Sequence, residues 1–183
     1  VAATSCARAI GGVSDGVIRA ANQAPSSAKP GGVIAGGAGT GSGTLNIVAR
    51  DVVFGYGPFS QPDTQLTLDR LVLGFANMNV QASDKITANN RNTLSVYQSQ
   101  GAYQPGTGYQ YSGGNLNLVT PLLTGESGSI NRFTAGGALN VSAPSGAGTV
   151  STDAFGAEIG LKGNTVNVAS AIVLPSGKLT ISG

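Results

Sequence analysis

The residues of this 183-residue chain best suited to chemistry are its eight carboxylates: Asp15, Asp51, Asp63, Asp69, Asp84, Glu126, Asp153 and Glu158. Two carboxyl groups facing one bond could act as acid and base, or acid and nucleophile, on a polysaccharide. These eight are scattered along the chain. Only Asp51 and Asp69 occupy comparable places, each near a turn between apolar runs, and that placement favours turn or edge residues over a catalytic pair. Histidine is absent, which excludes a Ser-His-Asp triad, a Cys-His pair and an imidazole metal site. Cys6 is the only cysteine, so neither an internal disulfide nor a cysteine-rich zinc site is available, and it reads as a buried or incidental thiol. The run Gly36 to Gly43 lacks both the third glycine of a dinucleotide loop and the Gly-Lys-Ser/Thr of a P-loop, and reads as a flexible connection. No Gly-Gly-x-Gly-x-Asp calcium repeat occurs. The expectation is no catalytic residue, no cofactor and no metal.

Tyrosines are the other candidates. Tyr97, Tyr103, Tyr109 and Tyr111 fall among Gln98, Gln100, Gln104 and Gln110. Such a segment would offer planar, uncharged, hydrogen-bonding surface suited to a glycan or a protein partner, since tyrosine gives much contact area at little entropy cost. The plainer reading, which weighs more on sequence alone, is a loop folded back so that its rings cover apolar faces. Asn140-Val141-Ser142 matches a glycosylation acceptor, but inside a strand pattern it reads as coincidence.

The elements that must carry these residues follow from a repeat. An apolar residue, a small polar one and a second apolar one recur as Leu45-Asn46-Ile47, Leu66-Thr67-Leu68, Met78-Asn79-Val80 and Leu94-Ser95-Val96. They return as Leu116-Asn117-Leu118, Leu139-Asn140-Val141, Val166-Asn167-Val168 and Leu179-Thr180-Ile181. Period-2 alternation of this kind marks a half-buried strand. The steps between copies run from 12 to 27 residues, so loops of unequal length interrupt one unit. Second apolar runs follow several copies, as in Val52-Val53-Phe54 and Ile172-Val173-Leu174. Two or three short strands per unit describe a coil of a β-solenoid.

Composition agrees. Charged residues are 10% of the chain, against about 25% in an ordinary domain. Glycines number 29, about 16%, where about 7% is usual. Stacked coils set equivalent side chains above one another about 4.8 Å apart, so columns of like charge repel while columns of Asn, Ser or Thr can hydrogen-bond. Glycine supplies the corners. An immunoglobulin-like sandwich is the competing architecture, but its strands do not repeat one another. The core then comprises Ile47, Leu68, Val80, Val96, Leu118, Val141, Val168 and Ile181, stacked along one axis. A net charge of +2, spread thinly, gives no footprint for nucleic acid. No apolar stretch of membrane-spanning length occurs, and the absence of an initial Met suggests an interior piece of a longer chain.

The runs Gly43 to Gly55, Gly137 to Ala143 and Gly163 to Ser170 resemble the haemagglutinin-type repeats of large bacterial exoproteins, the filamentous haemagglutinin group. The likeness covers about residues 43–183. It implies a right-handed parallel β-helix within a long, secreted surface fibre used in adhesion or cell contact. It also implies export through an outer-membrane secretion pore protein, an extracellular or outer-surface location, and flanking β-helix coils from the same chain or neighbouring subunits. The uneven steps depart from the uniform shaft repeats of that group and suggest a decorated segment. The expected organisation is an irregular Gly/Ala/Pro-rich segment over 1–42, with a short helix possible from Ser14 to Ala21. An all-β repeat domain over 43–183 follows, with loop excursions near 55–63 and 98–114. Three functions remain open: a non-enzymatic structural or adhesive segment, a carbohydrate-active β-helix enzyme, or a self-assembling sheath or spacer.

Overall fold

The structure is a computed structural model and describes residues 17–19, 31–35, 42–55 and 67–183. Sixteen strands are defined among them. The first five are β1 (Val17–Arg19), β2 (Gly31–Ala35), β3 (Gly43–Phe54), β4 (Thr67–Leu73) and β5 (Phe75–Ala88). Next come β6 (Arg91–Tyr97), β7 (Ser99–Gln104), β8 (Gly108–Ser112), β9 (Asn115–Val119), β10 (Leu122–Gly125) and β11 (Ile130–Ala135). The last are β12 (Ala138–Ser142), β13 (Glu158–Lys162), β14 (Thr165–Ala169), β15 (Ala171–Ile172) and β16 (Lys178–Ser182). The protein is all-β, and no helix occurs among the described residues.

Two parallel sheets carry the structure. The first runs β1-β3-β5-β9-β12-β14, with β10 on β5 and β15 on β10; the second runs β16-β13-β11-β6-β4-β2. From β2 onward the chain alternates between them, apart from the excursion through β7 and β8, and interior strands pair in parallel with their counterparts before and after. Parallel neighbours cannot be joined by a tight turn, so each return crosses through the other sheet. In the first sheet β5 is continuous over 14 residues. The corresponding stretch of the next passage divides into β9 and β10 at Thr120-Pro121, where proline has no N–H to give a ladder. After β12 the chain leaves the sheet, and β15 therefore pairs directly with β10.

Register gives the first sheet its character. Ile47, Val80, Leu118, Val141 and Val168 are successive partners, as are Leu45, Met78, Leu116, Leu139 and Val166. Between these apolar columns runs a column of asparagines: Asn46, Asn79, Asn117, Asn140 and Asn167. Each amide Nδ2 donates to the Oδ1 of the asparagine before it, at 2.8, 2.7, 2.7 and 2.8 Å in chain order. The apolar columns point into the core and the asparagines outward, as the alternating burial of β9 and β12 shows. The expected polar column is therefore present, and Asn140 of the glycosylation-like triplet is engaged within it.

In the second sheet the inward column is Leu94, Phe133, Leu161 and Ile181. Phe133 meets Phe54 of the first sheet edge to face, with centroids 5.3 Å apart, so the two sheets share one core. Beside it lies a polar strip. Arg70 Nη1 donates to Asn92 Oδ1 at 3.0 Å and Arg70 Nη2 to the Gly55 carbonyl at 2.8 Å. Asn92 Nδ2 donates to the Asn89 carbonyl and, at 2.9 Å, to Asn131 Oδ1, with Asn92 and Asn131 both buried.

Three expectations need correction. The eight core residues do not share one axis: five form the column of the first sheet, while Leu68, Val96 and Ile181 lie on strands of the second. Nor are all buried, since Val168 is 42% and Ile181 50% exposed, each on the outermost strand of its sheet. Within the expected helix from Ser14 to Ala21, Val17–Arg19 form a strand on Asp51–Val53, because that edge of β3 offers backbone partners to a segment containing two β-branched residues. Within the segment taken as irregular, Gly31–Ala35 is likewise a strand, on β4. Cys6, Asp15, Asp63, Leu66, the glycines from Gly36 to Gly41 and most of the 55–63 excursion lie outside the described residues.

Candidate functional site

The 98–114 excursion is a β-hairpin. Strands β7 and β8 pair antiparallel, with Tyr103 opposite Tyr109 and Gln100 opposite Tyr111, and an irregularity between Gln100 and Tyr103. The turn follows Gln104 through Pro105-Gly106-Thr107, with Gly106 and Gly108 at φ of +88° and +77°. Every residue of β7 is exposed. The sequence did carry this signal, in Pro105-Gly106 flanked by alternating tyrosines.

The hairpin's root is built from glycine. The Gln98 N–H donates to the Ser112 carbonyl at 3.1 Å, closing the base. A Cβ on Gly114, whose φ is +87°, would stand 2.8 Å from the backbone of Tyr97 and Gln98. A Cβ on Gly136 would stand 2.2 Å from the Gly113 carbonyl oxygen and 2.7 Å from Cδ1 of Tyr97. These positions let the chain leave and rejoin the main sheets at one point, with the Tyr97 ring lying across β11's end.

From this root the four tyrosines make one continuous row. Tyr97 and Tyr111 stack with centroids 4.8 Å apart and planes at 21°. Tyr111 and Tyr109 are 6.5 Å apart, and Tyr109 and Tyr103 meet edge to face at 5.3 Å. Tyr97 and Tyr111 are half-buried at the root, while Tyr109 is 49% and Tyr103 62% exposed. The expectation that these rings cover apolar faces therefore holds for neither outer tyrosine. Quadrupole-driven edge-to-face and offset contacts fix the rings against each other and leave their outer surfaces free. At the root, Ser99 and Ser112 hydroxyls are 2.8 Å apart. No charged residue occurs between Arg91 and Glu126.

The carboxylates form no comparable group. Asp51 lies in β3 beside Arg50, whose Nε donates to Asp51 Oδ2 at 3.0 Å, and its carboxylate is nearly buried. Asp69 is exposed in β4 of the other sheet. Both are strand residues, and the turns expected for them lie elsewhere, because the strands run longer than their apolar runs. No three His, Cys, Asp or Glu side chains converge as metal ligands among the described residues. Two shallow concavities among the described residues bear on the question. One, of about 460 Å³, is lined by small and apolar residues including Pro121, Ala143, Val150 and Val168. The other, of about 320 Å³ on the second sheet, carries Arg132, Glu158, Lys162 and Lys178, one acid among three cations. Neither presents the two facing carboxylates that glycoside cleavage uses.

Sequence reasoning placed the tyrosines together but missed their pairing, and it missed the inward Arg70–Asn92–Asn131 strip altogether. No family model matches the chain, and no curated protein or solved structure does.

Proposed function

We propose that this chain is a right-handed parallel β-helix segment of a secreted bacterial surface fibre, a non-enzymatic scaffold that carries the tyrosine hairpin as an adhesive contact element. The observation that carries the reading is a continuous five-member asparagine ladder on a chain that also puts out an uncharged, exposed aromatic hairpin. Alternation between two parallel sheets with one passage per rung supports a helical path. Right-handedness rests on the strong preference of parallel crossovers for that hand. The absence of paired carboxylates among the described residues supports scaffold over enzyme. The resemblance to haemagglutinin-type repeats supports an outer-surface location, export by an outer-membrane pore protein, and continuation of the shaft by flanking coils.

The test is cell adhesion. Beads coated with the protein should bind target cells, and a variant lacking Ser99–Ser112 should not, while it keeps a single cooperative unfolding transition. Equal adhesion by the two proteins would reassign the segment as a spacer or sheath unit. Cleavage of a polysaccharide that disappears with Asp51→Asn or Asp69→Asn would make it an enzyme.

A further inference from the structure

Resting on the reading of the hairpin as a contact element, we infer that its ligand is a neutral saccharide, held on the Tyr103–Tyr109 face with Gln100 at its margin. Three observations select this chemistry. The first is charge: the hairpin has none, and the chain has none from Asn92 to Gly125. A sulfated, sialylated or phosphate-bearing ligand would find no cation on the hairpin, whereas Arg132, Lys162 and Lys178 gather on the second sheet. Binding an anion on an uncharged surface forfeits the Coulomb and charge-assisted terms that make anion sites strong.

The second is the mix of surfaces. Apart from Pro105 at the turn, the hairpin has no aliphatic side chain larger than Ala102, so the apolar area of its strands is almost all aromatic ring. A protein partner's core contact needs apolar packing that this face does not supply beyond the rings. A pyranose differs: its faces carry C–H bonds of slight positive charge, which lie well on the negative face of an aromatic ring. Its rim carries hydroxyls, which both donate and accept. Gln100, opposite Tyr111, and the phenol oxygens both donate and accept in the same way.

The third is preorganisation. Tyr103 is locked edge to face on Tyr109, Tyr109 abuts Tyr111, and Tyr111 is stacked on Tyr97. The exposed rings are thus already ordered, and little side-chain entropy is lost on binding. Tyr103 and Tyr109 are the contact residues; Tyr97 and Tyr111 are positioning residues.

The experiment uses the intact chain on an immobilised array holding neutral hexose and N-acetylhexosamine oligosaccharides beside sialylated and sulfated ones. Titration with the best neutral oligosaccharide follows. The chain has five tyrosines and no tryptophan, so tyrosine fluorescence reports the site directly. Neutral oligosaccharides should bind with affinity insensitive to salt. Tyr109→Ala should weaken binding about tenfold or more, and Tyr109→Phe only a few-fold, because the ring is kept. Gln100→Ala should cost a few-fold, and the Lys162→Ala/Lys178→Ala double variant nothing. Thermal melting confirms that each variant is folded. Preference for anionic glycans, or salt-sensitive binding lost in the lysine variant, overturns the inference. So does hairpin-dependent cell adhesion that no neutral saccharide on the array competes, which leaves the contact function standing with a protein as partner. Adhesion independent of the hairpin instead defeats the underlying reading.

Discussion

The asparagine ladder and the tyrosine hairpin use the same strand chemistry to opposite ends. In the ladder, each outward side chain spends its hydrogen bonds on the identical residue of the next strand, at 2.7 to 2.8 Å. In the hairpin, the tyrosines pack on one another, and about half of Tyr109 and more than half of Tyr103 stay open. Parallel, in-register pairing sets like beside like and so consumes its own polar groups. An antiparallel hairpin with two free edges and no second layer has no such partner, and its surface remains for something else. One region closes its polar groups within the fold, and the other leaves its rings open to solvent. The comparison is open to measurement at four points.

The largest effect belongs to the core beneath the ladder. Phe133→Ala removes the ring that joins the two sheets and should destabilise by about 3–5 kcal/mol in urea unfolding. The tyrosine signal should be lost in the same transition. An earlier, separate tyrosine transition would show that the hairpin does not depend on the core. Gly136→Ala comes next, at about 1–3 kcal/mol, because its Cβ must displace either Gly113 or the Tyr97 ring. Altered near-ultraviolet tyrosine dichroism should accompany it, since Tyr97 seats Tyr111.

Asn117→Ala breaks the ladder at its centre. Two bonds are lost, and a destabilisation of about 1–2 kcal/mol is expected. Asn117→Asp tests the same point through pH. A carboxylate there faces the Asn79 carbonyl oxygen that the amide served, so the charged form is penalised in the folded state. The folded-state pKa is then raised, and stability should recover as pH falls through it and the acid regains a proton to donate. Unchanged stability across that range would deny the ladder an energetic role. Smallest of all is removal of Ser99–Ser112, expected to move unfolding by about 1 kcal/mol or less, since exposed residues are withdrawn. A loss comparable to Phe133→Ala would make the hairpin structural and erase the contrast.

How much of this was legible differs between the sheets. In the first, the triplet repeat specified both face and register: Leu139-Asn140-Val141 pairs with Leu116-Asn117-Leu118 residue for residue. In the second it specified the face alone. Leu94-Ser95-Val96 and Leu179-Thr180-Ile181 look equivalent, yet Leu94 shares its column with Ile181, two residues out of step. A slip of two residues leaves every side chain on its own face, so alternation cannot detect it. The first sheet avoids the ambiguity because a slipped asparagine would lose its ladder partner. Asp51 and Asp69 were misplaced for a related reason: apolar runs mark where burial occurs, while strands extend as far as backbone partners do.

The sequence by itself determined that the chain is all-β, that its strands repeat, that charge is scarce, and that neither histidine catalysis nor an internal disulfide is available. These follow from local alternation and from residue types, which need no knowledge of long-range pairing. Only the tertiary structure decided which strand lies beside which, that β15 reaches past the passage of β12 to β10, and that an arginine turns inward beside Asn92. It alone decided that Tyr103 and Tyr109 stand open to solvent. Exposure belongs to the arrangement of neighbours, and twelve residues, nine of them glycine, glutamine or tyrosine, flanked by two serines, read the same whether folded down or held away.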